Sequence, residues 1–175
     1  MRDDPGSSCG GSPLMIDVSV QGGDWPPDAD LEAWCARCTA VALATGLKIR
    51  PGTELSVVFT DDAAIKDLNA TWRAKNSATN VLSFPASDPD GDTYGPFLGD
   101  IVLAQETTSR EADELGIELS DHIAHLIVHG FLHLFGYDHQ DDADAEVMET
   151  LERRIMADLG LNDPYADRPL LADGP

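Results

Sequence analysis

The chain reads as an α+β domain: a small mixed sheet of about four strands packed with about five helices, one of them central and carrying histidines. Two observations lead there. The apolar pattern runs β-α-β-α-β-β-α-α-α, with strands and helices mixed early and helices gathered late, which suits one sheet with helices around it. The second is the stretch around Ile123, Leu126, Ile127, Leu134 and Phe135, whose apolar residues leave little room for a solvated face, the mark of a helix at the centre of a fold. A length of 175 residues fits one domain with a real core.

Each element follows from local signals. Met15 to Val20 is β-branched and alternating, so it predicts a strand. Trp25-Pro26-Pro27-Asp28 is a turn, and Leu31, Trp34, Cys35, Cys38, Val41 and Ala42 give an apolar stripe at helical spacing from about Ala29 to Thr45, stopped by Gly46. Leu55 to Phe59 predicts a buried strand. Thr60 is the expected cap of the next helix, with Asp61 and Asp62 opposite its positive end, and that helix runs to about Trp72.

A polar loop from Arg73 to Asn80 leads to a short strand, Val81 to Phe84, stopped by Pro85. Ala86 to Pro96 is a loop rich in Gly, Pro and Asp, and Gly99 to Ala104 is a strand. A helix spans about Gln105 to Leu115. Ser120 is the expected cap of the histidine helix, which ends near Phe135, and Asp141 to Leu159 is the last helix, stopped by Gly160. Residues 1–13 read as a disordered extension, with Met15 an alternative start, residues 14–161 as the single functional domain, and residues 162–175 as a tail.

Composition narrows the function classes. Apolar residues make up 42% and charged residues 25%, as in an ordinary globular protein. The apolar runs fall far short of the roughly 20 residues that span a bilayer. The first residues have no apolar core and a single basic residue, Arg2, so they do not read as a secretory signal, and the expected location is cytoplasmic. Cys9, Cys35 and Cys38 fit a reducing compartment, and Cys35-x-x-Cys38 within a helix reads as core packing rather than a redox or zinc pair.

The net charge of −21 argues against unaided nucleic-acid binding, but it is unevenly spread. Residues 1–47 carry −5 and residues 76–175 carry −17, while residues 48–75 carry +1. Only that middle stretch, with Lys48, Arg50, Lys66, Arg73 and Lys75, does not repel phosphate.

The chemistry concentrates in the run from His129 to His139. His129 and His133 are four apart, so their rings leave one helix face a turn apart. His139 follows Gly136, where the helix should stop and the chain could fold back. Two imidazoles from a helix and a third from the returning chain form the arrangement of an open zinc site, with a position left for water or substrate. Nickel, copper and iron also accept three imidazoles.

His125 lies one turn earlier on the same stripe; three consecutive turns of a straight helix rarely serve one metal, so it reads as a supporting or core residue. His122 reads as solvent-facing. In zinc proteases of the His-Glu-x-x-His type the Glu is the general base. Here Gly130 stands at that position, which argues against peptide hydrolysis and suggests space beside the metal for a bulky substrate. Asp138 either orients a ligand or accepts a proton, or else stabilises its turn.

Arg73 stands at a helix exit beside Ala74-Lys75-Asn76-Ser77. A guanidinium stays charged and grips phosphate with paired donors. Near a metal it could hold a phosphodiester and stabilise charge in the transition state, although exposed arginines are mostly just solvated.

These residues resemble the YbeY family of bacterial ribosomal-RNA processing proteins. His129-Gly130 through Tyr137-Asp138-His139 is similar to that family's signature almost letter for letter, with His125-Leu126 upstream. Thr79-Asn80-Val81-Leu82-Ser83-Phe84-Pro85 matches its Thr-Asp-Val-Leu-Ser-Phe-Pro with Asn80 for Asp, and Asn69-x-x-x-Arg73 and Gly99-Asp100-Ile101 match two further blocks. The matches run in order over about residues 15–160.

The resemblance implies a metal-dependent, single-strand-specific endoribonuclease. It implies a zinc ion on His129, His133 and His139, and a functional role for Arg73. It also implies work on ribosomal RNA, notably maturation of the small-subunit 3′ end, and in ribosome quality control, with ribosomal proteins and a ribosome-associated GTPase as partners. Trp72 and Tyr137 are candidates for stacking unpaired bases, or else core residues. The chain departs from the family pattern in its acidity, its N-terminal extension and Asn80. Two other readings remain: a non-catalytic ribosome-assembly factor whose metal stabilises the fold, and a metallohydrolase acting on other substrates.

Overall fold

The structure is a computed structural model and describes residues 13–88, 93–138 and 140–165. Its elements follow the expected order: β1 (Leu14–Val20), α1 (Asp28–Leu43), β2 (Thr53–Thr60), α2 (Asp62–Arg73), β3 (Val81–Pro85), β4 (Phe97–Ala104), α3 (Gln105–Leu115), α4 (Leu119–Leu134) and α5 (Asp142–Asp158). This is the α+β architecture anticipated from the pattern, a four-stranded sheet and five helices among the described residues. No helix among them is long and apolar enough to cross a membrane.

The strand order is β1-β2-β4-β3. β1 and β2 pair in parallel, as do β2 and β4, while β3 and β4 pair antiparallel, with Val81 opposite Leu103 and Pro85 opposite Gly99. Parallel neighbours need a crossover connection, and α1 supplies the first.

Strand alternation divides the core. Leu55, Val57 and Phe59 of β2 and Ile101 and Leu103 of β4 join α1, α4 and α5 in the main cluster. Val102 and Ala104, between and beside them in β4, join Leu82 and Ile65 of α2 in a second cluster. The period of two therefore sends alternate residues to opposite faces, and helices cover both. α4 is the apolar centre: Ile123, Leu126, Ile127, Val128 and Phe131 are all fully buried.

Two caps differ from expectation. Asp61, not Thr60, caps α2, its carboxylate accepting from the Ala64 N–H at 2.9 Å. Thr60 is still paired with Ala104 in the sheet, so the chain can turn only after it. α4 begins at Leu119, ahead of Ser120, with Glu118 at the cap position and no side-chain cap bond. Leu119 packs against the main core, and that contact starts the helix earlier than the capping signal would.

The segment expected as a tail is partly built into the fold. Tyr165 is buried, with its N–H donating to Asp163 Oδ1 at 2.8 Å. The expected extension, apart from Pro13, and residues 166–175 lie outside the described residues.

Candidate metal centre and its cleft

The helical spacing of His129 and His133 places their Nε2 atoms 3.1 Å apart, with the rings nearly perpendicular at 84°. Both line a cleft of about 360 Å³. Two nitrogens at about 2.0–2.1 Å from one tetrahedral zinc ion would stand about 3.3 Å apart, so this pair fits two legs of such a site. His139, the third expected ligand, lies outside the described residues. Among the described residues no three His, Cys, Asp or Glu side chains gather into a ligand set.

Behind His129 stands a residue that the sequence reading missed. Glu152 of α5 is fully buried, and its Oε2 lies 2.6 Å from His129 Nδ1. Its other oxygen, Oε1, accepts from the Tyr165 hydroxyl at 2.5 Å. Burial alone would raise the Glu152 carboxyl, but the close approach of the His125 ring, the hydrogen bond with His129 and the electrostatic attraction of both rings overcome it and hold the group well below the usual carboxylate range. Burial, and then the charge of Glu152, push the Tyr165 phenol far above its ordinary value. A sequence signal existed: Met148, Glu152, Ile155 and Met156 share one buried helical stripe, and a carboxylate in an apolar stripe needs partners.

His125 is buried as expected, edge-on to Tyr165, with its Nε2 3.5 Å from Glu152 Oε2 and no hydrogen-bond partner for that nitrogen among the described residues. His122 is not solvent-facing. It is 1% exposed, and its Nε2 lies 2.8 Å from Glu111 Oε1 of α3. The same oxygen accepts from Asn80 Nδ2 at 3.0 Å, so α3 packs over this side of α4 and draws His122 inward. Asn80 is thus tied to α3 as well as to the start of β3, where its Oδ1 accepts from the Val81 N–H at 2.7 Å.

Gly130 also differs from its expected role. A Cβ there would meet Ile101 Cγ2 at 2.9 Å and Ser83 Oγ at 3.0 Å. The glycine therefore lets α4 press onto the sheet, and it leaves no open space beside the histidines. A Glu at this position would collide with β4 before it could act as a base. Cys35 and Cys38 are core residues: both are buried free thiols, and burial pushes each up to about 12.

Arg73, 56 residues before His129 in the chain, lines the same cleft as His129 and His133, together with Ser83, Tyr137 and Asp138. Its place follows from the end of α2. Ala74 takes a left-handed conformation at φ 58°, and the N–H groups of Ala74 and Lys75 both meet the Asn69 carbonyl. The Asn69 amide holds the returning loop by donating to the Ser77 carbonyl at 2.9 Å. The last turn of α2 is thereby kept beside β3. Trp72 is 69% exposed, so it is not a core residue, whereas Tyr137 packs partly against the main core.

An α+β domain whose cleft is lined by two histidines and an arginine has the chemistry to hold a cation and an anionic group side by side. The profile of the family described as Endoribonuclease YbeY matches residues 24–160. A protein named Endoribonuclease YbeY from Rhizobium meliloti (strain 1021) is 52% identical over 163 residues, covering 89% of this chain and 97% of its own length. A protein of the same name from Rhizobium etli (strain CIAT 652) is 52% identical over 164 residues, covering 90% of this chain and 96% of its own. The chain belongs to the YbeY family. The solution structure of TM1509 from Thermotoga maritima has a similar fold, with a TM-score of 0.53 at 20% identity, covering 86% of this chain and 99% of that one.

Proposed function

We propose that the chain is a metal-dependent endoribonuclease that cuts single-stranded ribosomal RNA, in maturation of the small-subunit 3′ end and in ribosome quality control. The observation that carries this reading is the convergence of His129, His133 and Arg73 on one cleft in a chain of the YbeY family. Residues 14–161 make up the working domain, with the following segment to Tyr165 packed onto it. His129, His133 and His139 hold a zinc ion, and Arg73 is the catalytic residue. The setting is cytoplasmic, and ribosomal proteins and a ribosome-associated GTPase are the partners.

The chain's own residues divide the work. When bound, the divalent cation supplies Lewis-acid charge that polarises a phosphate oxygen or acidifies water. Arg73 pairs its planar donors with the phosphoryl oxygens and neutralises charge as it develops there. Trp72, adjacent to Arg73 and exposed, offers a face for an unstacked base, and Tyr137 on the cleft wall offers a second. A base can stack only when it is not already paired, so these contacts favour single strands. Arg73 comes from the stretch of residues 48–75, net +1 in a chain of net −21, so the phosphate-gripping side of the cleft is supplied by the least acidic part of the sequence. The partners would supply the remaining affinity for RNA.

The test is cleavage of a labelled single-stranded RNA against its duplex by wild type, His133→Ala and Arg73→Glu, with metal content determined on each sample. Single-strand cleavage lost in both variants, with metal retained in Arg73→Glu, is the expected outcome. Equal cleavage by all three would point to a contaminating nuclease and reject the reading. The assembly-factor reading would then gain, supported by the acidic surface and by Gly130 where a protease carries its base.

A further inference from the structure

We infer that Glu152 is the positioning residue of the metal site: its buried carboxylate holds His129 in the tautomer whose Nε2 lone pair points into the cleft. The inference rests on the proposed metal site at His129 and His133. Glu152 Oε2 lies 2.6 Å from His129 Nδ1, so a carboxylate there accepts the Nδ1 proton of the tautomer that leaves Nε2 free to bind a metal. The lone pair is then on Nε2, the nitrogen that stands 3.1 Å from His133 Nε2 on the cleft side. Ligating histidines commonly donate their other ring proton to a carboxylate, which fixes the ring and raises its basicity.

The carboxylate is itself held. Tyr165 donates to Oε1, and the body of Glu152 lies in the apolar face of α5 between Met148 and Ile155. The carboxylate cannot turn without leaving its His129 or Tyr165 partner unpaired in a buried setting, a loss of about 1–3 kcal/mol. The last helix and the segment after it therefore orient a ligand that belongs to the central helix. Glu152 does not reach the cleft, where the reacting groups would sit, and acts only through His129.

The experiment measures the zinc dissociation constant by chelator competition for wild type, Glu152→Gln and Met156→Ala, with the melting temperature of each metal-free protein. Glu152→Gln keeps the shape of the side chain and removes its charge; zinc should bind roughly 10–100-fold more weakly. Met156, buried in the main core on the same helix, is the stability control: its truncation should lower the melting temperature and leave zinc affinity unchanged.

Wild-type zinc affinity in Glu152→Gln would overturn the inference and leave the metal site standing. Absence of zinc binding by wild type would overturn both. Should Glu152→Gln fail to fold, the nitrogen resonances of zinc-loaded wild type decide: a proton on His129 Nδ1 with the metal shift on Nε2 supports the inference, and the reverse assignment overturns it.

Discussion

Ser83 donates its hydroxyl proton to the carbonyl of Gly130 at 3.0 Å, joining β3 to α4 one residue after His129. The contact is possible because residue 130 has no side chain. It holds the histidine pair against the strand that forms one wall of the cleft, so the packing of the core and the shape of the site depend on the same few atoms.

Gly130→Ala should therefore destabilise the protein even though alanine favours helices. Propensity alone would gain about 1 kcal/mol. Forcing Cβ against Ile101 and Ser83 should cost about 1–3 kcal/mol and shift α4 away from the sheet. Denaturant unfolding should show a net loss, and zinc affinity should fall with it as the histidines move. An alanine variant more stable than wild type would mean that the helix-to-sheet contact is looser than these distances indicate.

Metal removal gives a second prediction. A ligand that binds only the folded state stabilises it by about 4 kcal/mol when present at a thousandfold its dissociation constant. Zinc should raise the melting temperature of wild type, and a chelator should reverse the rise. His133→Ala, which removes one of the paired nitrogens, should abolish the zinc-dependent shift while leaving the metal-free melting temperature close to that of wild type, since its side chain is only partly buried.

Arg73 should separate metal binding from turnover. Arg73→Ala should keep its zinc and lose about 10²–10³-fold in RNA cleavage, the scale of losing one preorganised charge in a transition state. Arg73→Lys should recover only part of that loss, because a lysine ammonium cannot reproduce the paired donors of a guanidinium. Cleavage by Arg73→Ala at the wild-type rate would remove the residue from the mechanism.

The thiols carry a pH prediction. Burial raises Cys35 and Cys38 to about 12 from an ordinary value of 9.0, so the fold favours their neutral forms. That contribution is complete below pH 9 and is lost as pH climbs toward about 12, because the unfolded chain ionises first. In a Cys9→Ser background, the native protein at pH 8 should leave a thiol reagent unreacted until denaturant is added. Its unfolding midpoint should then decline through the alkaline window. Rapid labelling of the native protein would show that α1 opens far more readily than its packing implies.

Much of the fold was legible from local pattern. α3 spans Gln105–Leu115, the expected range, and the nine elements among the described residues appear in the expected order. Local signals fail where a neighbour decides. Thr60 has the chemistry of a cap but is held in the sheet by Ala104. His122 looks polar and free to face water, yet it is buried against Glu111, which Asn80 also holds.

The sequence by itself determined that His129 and His133 share a helical face, because a spacing of four on a helix admits no other arrangement. It also determined that the helix carrying them lies at the centre, since its apolar residues must leave water. Only the tertiary structure decided which residues meet that pair. Arg73 lines the cleft beside Val81 and Ser83 because α2 packs Ile65 against Leu82 and Val102 of the sheet, and Glu152 stands behind His129 because the apolar stripe of α5 docks on α4. Contacts between residues far apart in the chain are set by how whole faces pack, and no local spacing encodes them.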